Sequence, residues 1–316
     1  MFTKTKSIIF RDIRRQKNIL LQTLKRSFSI KFTKNPLISL DEALKEYLDK
    51  SKKTVFIDVR DTESFVQSHI PSAQNINEIF SYLSTSDKKG IEAIRGEFQK
   101  VFQAHGITGK ENIILYESCL KTRFGASCRG AYLFNLFGHQ NVRVLHGSWE
   151  LWTQKGLPVS SEASKVDTKG DFKTEWNPTI FANKEDVLRA IEKKDVVLLD
   201  VREYDEWKGE SSSPYGPDFA PRKGRLPGAV HLFWKDLMVE RDGVTYMKEP
   251  EEILRIVKEK GITPDQKVIV YCFKGARASN TFIALRTAGF ENITNYFASW
   301  NEWSRDPSLP IDDRKI

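Results

Sequence analysis

The sequence predicts an α/β protein of two tandem units, each a mainly parallel sheet with helices on both faces. Two observations carry that reading. The first is an internal repeat: Phe56-Ile57-Asp58-Val59-Arg60-Asp61 returns 142 positions later as Leu198-Leu199-Asp200-Val201-Arg202-Glu203. His69-Ile70-Pro71-Ser72-Ala73 matches Arg225-Leu226-Pro227-Gly228-Ala229, residues 106–116 match 261–271, and 147–152 match 298–303. Collinear matches at drifting offsets mean duplication with loop insertions. The second is that each copy alternates short apolar runs with amphipathic stretches, the pattern of a parallel sheet covered on both faces.

Taken in order, residues 55–59, 113–116 and 142–145 of the first copy read as buried strands, as do 196–201, 268–271 and 293–296 of the second. Stretches such as 251–260 and 279–286 read as helices. The polar run 160–177 separates the copies as a linker. The jump in offset between the first two matches puts about 14 extra residues in copy two at 211–223, where Ser212-Ser213-Pro214-Tyr215-Gly216-Pro217 has loop composition. The expected organisation is a basic segment 1–34, a first domain 35–159, the linker 160–177 and a second domain 178–316.

Hydrophobic content of 40% with 29% charged residues belongs to a folded globular chain of 316 residues, long enough for two cores. No apolar run approaches the roughly 18–20 residues needed to span a bilayer, so no integral membrane protein is expected. The three cysteines Cys119, Cys128 and Cys272 lack CxxC spacing and nearby paired histidines. A disulfide framework, a metal site and a bound cofactor are therefore not expected, and a reducing compartment fits. The net charge of +8 is confined to the N-terminus. Residues 1–34 hold ten Lys or Arg against one acid, and the remaining 282 hold 40 basic and 41 acidic side chains. A folded body so close to neutral offers no groove for a phosphate backbone, so nucleic acid is not an expected partner. The segment itself is Ser-, Thr- and Arg-rich, with Ile9, Ile13, Leu20 and Leu24 interleaved among cations. That pattern predicts a mitochondrial presequence, and a location in the matrix or on the matrix side of the inner membrane.

The chemistry is expected at Cys272, which heads the loop Cys272-Phe273-Lys274-Gly275-Ala276-Arg277 directly after a strand. A strand-to-helix loop aims backbone N–H groups inward, and the following helix adds its positive end. Lys274 and Arg277 add full charges, and Gly275 allows a tight bend. A cysteine so placed is expected to be a nucleophilic thiolate, in a cradle that also accepts an anionic substrate. Arg202, at a strand end near the loop, is expected either to bind substrate or to pair with Asp200. Arg222, Lys223 and Arg225, after the insertion, are expected mainly in solvent, the alternative being the rim of the pocket.

These features together resemble the tandem rhodanese-type sulfurtransferases (thiosulfate and 3-mercaptopyruvate sulfurtransferases) over about residues 36–312. The resemblance rests on the Asp-Val-Arg strand ends, the Pro-Gly-Ala-like turns, the six-residue Cys loop and the closing Gly-Ser-Trp-like segments. It implies two rhodanese-like domains, of which the second is catalytic. It implies transfer of a sulfane sulfur from a small anionic donor such as thiosulfate to a thiol or cyanide, through a persulfide on Cys272. Lys274, Gly275, Arg277 and Arg202 would then bind substrate, with Asp200, Ser299 and Trp300 in support. Glu206 departs from the family, standing near where the vertebrate thiosulfate enzymes carry a substrate-binding arginine. The related phosphatases use a Cys-x5-Arg loop, whereas the spacing here is Cys-x4-Arg.

In copy one, Glu117 aligns with Cys272, and a carboxylate there opposes thiolate formation, so that copy is expected to be inactive. Cys119 with Lys121 and Arg123 is the alternative seat of a displaced active loop, and Cys128 is expected in the core. The competing functional class is an accessory subunit of a mitochondrial complex, built on the same scaffold with little or no catalysis.

Overall fold

The computed structural model of the chain describes residues 35–316 apart from 50, 52 and 167. The basic segment 1–34 and the presequence expectation placed on it lie outside the described residues. The first copy holds β1 (Leu37–Ile38), α1 (Leu40–Leu48), β2 (Thr54–Asp58), α2 (Thr62–Gln67) and β3 (Gln74–Asn75). It continues with α3 (Lys88–Ala104), β4 (Asn112–Tyr116), α4 (Ala126–Leu136), β5 (Val142–Leu145) and α5 (Ser148–Gln154). The second copy holds α6 (Lys184–Lys193), β6 (Val197–Asp200), α7 (Tyr204–Lys208), β7 (Val230–His231), β8 (Met238–Arg241) and β9 (Val244–Met247). Then follow α8 (Pro250–Glu259), β10 (Val268–Tyr271), α9 (Ala276–Thr287), β11 (Ile293–Asn295) and α10 (Ser299–Trp303).

Both main sheets are parallel throughout, in the order β1-β5-β4-β2-β3 and β11-β10-β6-β7. The central strands β4 and β10 are buried at nearly every position, as continuous apolar runs in a covered sheet must be. Helix starts follow local chemistry. Ser39 with Glu42 and Asn183 with Asp186 form capping boxes at α1 and α6, and Pro250 opens α8. Phe56, Ile114, Tyr116, Leu145 and Trp152 pack into one core cluster of the first copy.

Three features were not foreseen. The linker 160–177 is pinned to copy one: Ser160 pairs with His69, and the N–H groups of Phe172, Glu175 and Asn177 donate to Ile107, Phe137 and Leu136. Arg222 is not in solvent; its guanidinium donates to the carbonyls of Trp303, Ser304, Asp306 and Leu309 and clamps the C-terminal turn. The antiparallel hairpin β8–β9 has no counterpart in copy one's sheet and lies against copy one instead. The seam between the copies is formed by α4 and α9, each of which follows its copy's central strand and loop. Among the described residues no helix is long and apolar enough to cross a membrane, and no cluster of His, Cys, Asp or Glu could hold a metal ion.

Candidate active site

Cys272 follows β10 directly, and α9 begins at Ala276, three residues before the helical stretch read from the sequence. Gly275 makes the short turn possible. Its φ is +81°, and a Cβ there would lie 2.5 Å from the Phe297 ring, so only glycine fits. The turn brings the Gly275 N–H to Cys272 Sγ, to which it donates at 3.1 Å. The other side of the cysteine is pinned by the segment at α10. The Cys272 N–H donates to Ser299 Oγ at 3.1 Å, and the N–H groups of Trp300 and Asn301 donate to the carbonyls of Cys272 and Phe273. Ser299, at φ 57°, donates in turn to the Tyr296 carbonyl. Cys272 is thereby held at 1% exposure at the mouth of a twelve-residue helix.

The loop's two cations have different surroundings. Arg277 is buried and engaged with Glu206 at 2.5 and 3.0 Å, with Glu203 at 3.7 Å. Burial opposes its charge, and the Glu206 carboxylate more than offsets that. The residue that departs from the family pattern is thus the partner of the loop's terminal arginine. Lys274 is ringed by aromatics, its Nζ lying 4.2 Å from the ring centre of Tyr82, 5.0 Å from Tyr215, 5.3 Å from Phe219 and 5.6 Å from Phe273. Tyr82, Tyr215 and Phe219 are about half exposed and form the outer rim. Partial burial, with the cations Arg305 and Arg129, lowers the hold of Lys274 on its proton. Arg129 reaches over from copy one and donates to the Lys274 carbonyl at 2.6 Å. The loop therefore sits in the joint field of Lys274, Arg129 and Arg305, of which sequence reasoning named only the first.

Asp200, Arg202 and Trp300 form one unit. Arg202 grips Asp200 at 2.9 and 2.6 Å, donates to the Gly224 carbonyl at 2.7 Å and lies 4.7 Å from the Trp300 ring centre. The same unit stands in copy one. Arg60 grips Asp58 at 3.0 and 2.6 Å, donates to the Ser68 carbonyl at 2.6 Å and lies 4.3 Å from the Trp149 ring centre. A constellation repeated in the copy where Glu117 stands in the place of Cys272 is tied to the fold both copies share. Of the two expectations for Arg202, the structure places it in the pair with Asp200.

Copy one fills its own cradle. Eight residues separate Glu117 from α4, against three between Cys272 and α9. The Glu117 carboxylate accepts from the N–H groups of Ala126 and Ser127 at 3.1 and 3.0 Å, and from Ser127 Oγ at 2.6 Å. A side-chain carboxylate thus occupies the helix start where an anion would bind. Burial pushes its carboxyl up to about 7, against those three donors. Cys119 is buried, donates to Thr245 Oγ1 of β9 at 3.0 Å, and has its thiol pushed up by burial. Lys121 pairs with Glu240 of β8, and the Thr245 N–H donates to Glu150. The hairpin thereby closes over the loop in which a displaced active site was considered. Cys128 is fully buried beside Asn280, its thiol pushed well up by burial.

The missed contributors left faint signals. Helix α4 is buried along its whole length with Arg129 as its one charged residue, and a charge in a mainly apolar helix needs a partner. Tyr215 and Phe219 stand in the insertion read as plain loop, and Tyr82 belongs to the other copy.

The rhodanese-like domain family matches residues 8–155 and 183–306, so the chain belongs to the rhodanese family and carries the domain twice. A Haloferax volcanii protein named "Putative thiosulfate sulfurtransferase" is 30% identical over 89% of this chain and 97% of its own length. The sulfur carrier protein TtuD of Thermus thermophilus is 30% identical over 87% of this chain and 95% of its own. The solved structure of YnjE superposes with a TM-score of 0.71 at 26% identity, covering 87% of this chain and 68% of that one. These relatives correct the expected mitochondrial location, and with it the transit peptide and the mitochondrial complex as partner. They come from archaea and bacteria, which have no mitochondria. Cations interleaved with apolar residues are a pattern of amphipathic basic segments in general, and carry no address by themselves.

Proposed function

We propose that this rhodanese-family chain is a sulfurtransferase that moves a sulfane sulfur from thiosulfate, or a related small anionic donor, to a thiol or cyanide acceptor through a persulfide on Cys272. The observation that carries this reading is the cysteine loop. A sulfur at the end of the central strand receives the Gly275 N–H at 3.1 Å, in a loop that carries Lys274 and is held by Arg129. A donated hydrogen bond and nearby cations favour negative charge on sulfur, and the thiolate is the nucleophile.

In the first step Cys272 Sγ attacks the outer sulfur of thiosulfate. A new S–S bond forms, the donor's S–S bond breaks, and sulfite leaves with that bond's electron pair. Thiolate and dianion repel each other, so the field of Lys274, Arg129 and Arg305 lowers the cost of bringing them together. In the second step the acceptor attacks the terminal sulfur and Cys272 departs as thiolate with the bonding pair. No proton donor is needed, because both leaving groups are stable as anions, and the kinetics are ping-pong.

Two observations speak against phosphate-ester hydrolysis in the same cradle. The loop is one residue shorter than those enzymes use, and Arg277, the residue that would grip phosphoryl oxygens, is engaged with Glu206. Copy one we read as inactive, because Glu117 occupies its cradle and Cys119 is sealed against Thr245.

The test is Cys272→Ser. It should abolish thiosulfate:cyanide transfer, and mass spectrometry should find one added sulfur on the Cys272 peptide of the unsubstituted protein after donor treatment. Thiocyanate production by the serine variant, or phosphate release from p-nitrophenyl phosphate without thiocyanate production, would overturn the assignment.

A further inference from the structure

We infer that Arg129, on the helix of the copy without a reactive thiol, is a positioning residue for Cys272: it holds the loop peptide that serves the sulfur and brings a positive charge across the seam. The inference rests on Cys272 being the sulfur-carrying nucleophile.

Among the described residues five arginines are buried to 4% exposure or less: Arg60, Arg129, Arg202, Arg225 and Arg277. Four of them face a carboxylate, on Asp58, Asp200, Asp312 and Glu206 respectively. Among the described residues Arg129 has no carboxylate at ion-pair distance. Its donors all go to neutral carbonyls: Nε to Ile79 at 2.5 Å, Nη2 to Ser81 at 2.8 Å, and Nη1 across the seam to Lys274 at 2.6 Å. Its guanidinium carbon lies 4.5 Å from the Phe297 ring centre. A buried cation without a counter-ion is unfavourable, and carbonyls with a ring face recover only part of its lost hydration. Burial lowers its hold on the proton to about 10, and the groups opposing that are Cys272 first and Tyr215 second. Its charge is therefore left without a carboxylate partner and bears on the loop that carries Cys272.

The contact with Lys274 has a geometric consequence. The Lys274 carbonyl and the Gly275 N–H belong to one rigid trans peptide and point in opposite directions. Gripping the carbonyl on one side presents the N–H to the other, where it meets Cys272 Sγ at 3.1 Å. Arg129 thus reaches the sulfur through a lever one peptide long. In copy two the residue at the matching place of the helix is Ser279, which donates to its own copy's Gly275 carbonyl instead.

The experiment compares Arg129→Lys, Arg129→Gln and Arg129→Met in the full chain, each checked for folding by circular dichroism and thermal unfolding. Mass spectrometry of the Cys272 peptide follows iodoacetamide labelling between about pH 5 and 9, and sulfur gain from thiosulfate. Labelling near neutral pH should fall at least tenfold in the Gln and Met variants, with the pH profile moved upward, and the Lys variant should recover part of the rate. Folded Gln and Met variants that label within twofold of the unsubstituted protein, on an unmoved profile, would overturn the inference. Should those variants not fold, the structure of the persulfidated full chain decides. The Arg129–Lys274 contact should persist with Gly275 N–H on sulfur, and its absence would refute the lever. Failure of the unsubstituted protein to gain sulfur on Cys272 removes the function reading itself, whereas unimpaired labelling and sulfur gain in the variants removes only the role of Arg129.

Discussion

Replacing Glu117 by glutamine should change how stability depends on pH, by an amount the structure sets. The carboxyl stands at about 7 in the folded chain against 4.5 as its ordinary value, because burial outweighs its three donors. A folded value above the unfolded one means that the folded state binds the proton more tightly. The contribution is fully present below pH 4.5 and is lost as pH rises through 7. At about 1.36 kcal/mol per pH unit, the whole loss is ~3.4 kcal/mol, of which about 2 kcal/mol falls between pH 5.5 and 8. Glutamine keeps an acceptor for the Ser127 and Ala126 donors and does not titrate. Urea unfolding of both proteins at the two pH values isolates this residue, since every other group is common to the pair. The variant's stability relative to the unsubstituted chain should improve by about 2 kcal/mol from pH 5.5 to 8. Parallel stability curves would refute the reasoning and mean that Glu117 is ionised over this whole range. Sulfur transfer should survive the change, because the cradle Glu117 fills belongs to the other copy.

Gly275→Ala should cost several kcal/mol and abolish Cys272 labelling, since φ +81° and the 2.5 Å approach to Phe297 both oppose a Cβ; normal labelling kinetics would contradict the turn geometry. Arg60→Met and Arg202→Met should each destabilise by about 3–5 kcal/mol in chemical unfolding, because each strands a buried carboxylate. A small loss at Arg202 accompanied by a large rise in donor KM would instead mark that residue as substrate-binding. Replacing Tyr215 and Phe219 together by alanine should raise the KM for thiosulfate a few-fold with kcat little changed. Two ring faces, each worth about 0.5–1 kcal/mol to an exposed cation, are removed from Lys274, and an unmoved KM would count against the rim holding it in place.

Much of the architecture was legible because duplication printed it twice. The strands 142–145 and 268–271 fall where the apolar runs put them, and the others within a residue or two at each end. A buried parallel strand has to be apolar on both faces, and that constraint is written residue by residue. The cysteine loop was legible for a related reason, since its turn, thiol and charges are contiguous. What crosses the seam was not. The Arg129–Lys274 contact spans 145 positions, and the Ser86–Glu302 hydrogen bonds span 216. No local periodicity encodes such pairs. Glu206 was noticed only as a missing arginine, and its match with Arg277 is a fact of packing over 71 positions. The hairpin β8–β9 escaped because its ladder has no counterpart in the first copy's sheet and its partner surface is the other copy.

Each copy's loop is roofed by the other: the hairpin Met238–Met247 covers Cys119 and Lys121, while Tyr82 and Arg129 stand over Lys274. This mutual arrangement changes what selection can see. On the proposed reading, with the sulfur carried on Cys272, the first half serves as a wall of its sibling's reaction chamber, and its surface facing that chamber is constrained. Substitutions on that surface of the first half would then be filtered by the chemistry of the second. Neither half can be excised, swapped or inherited alone without leaving its twin unroofed.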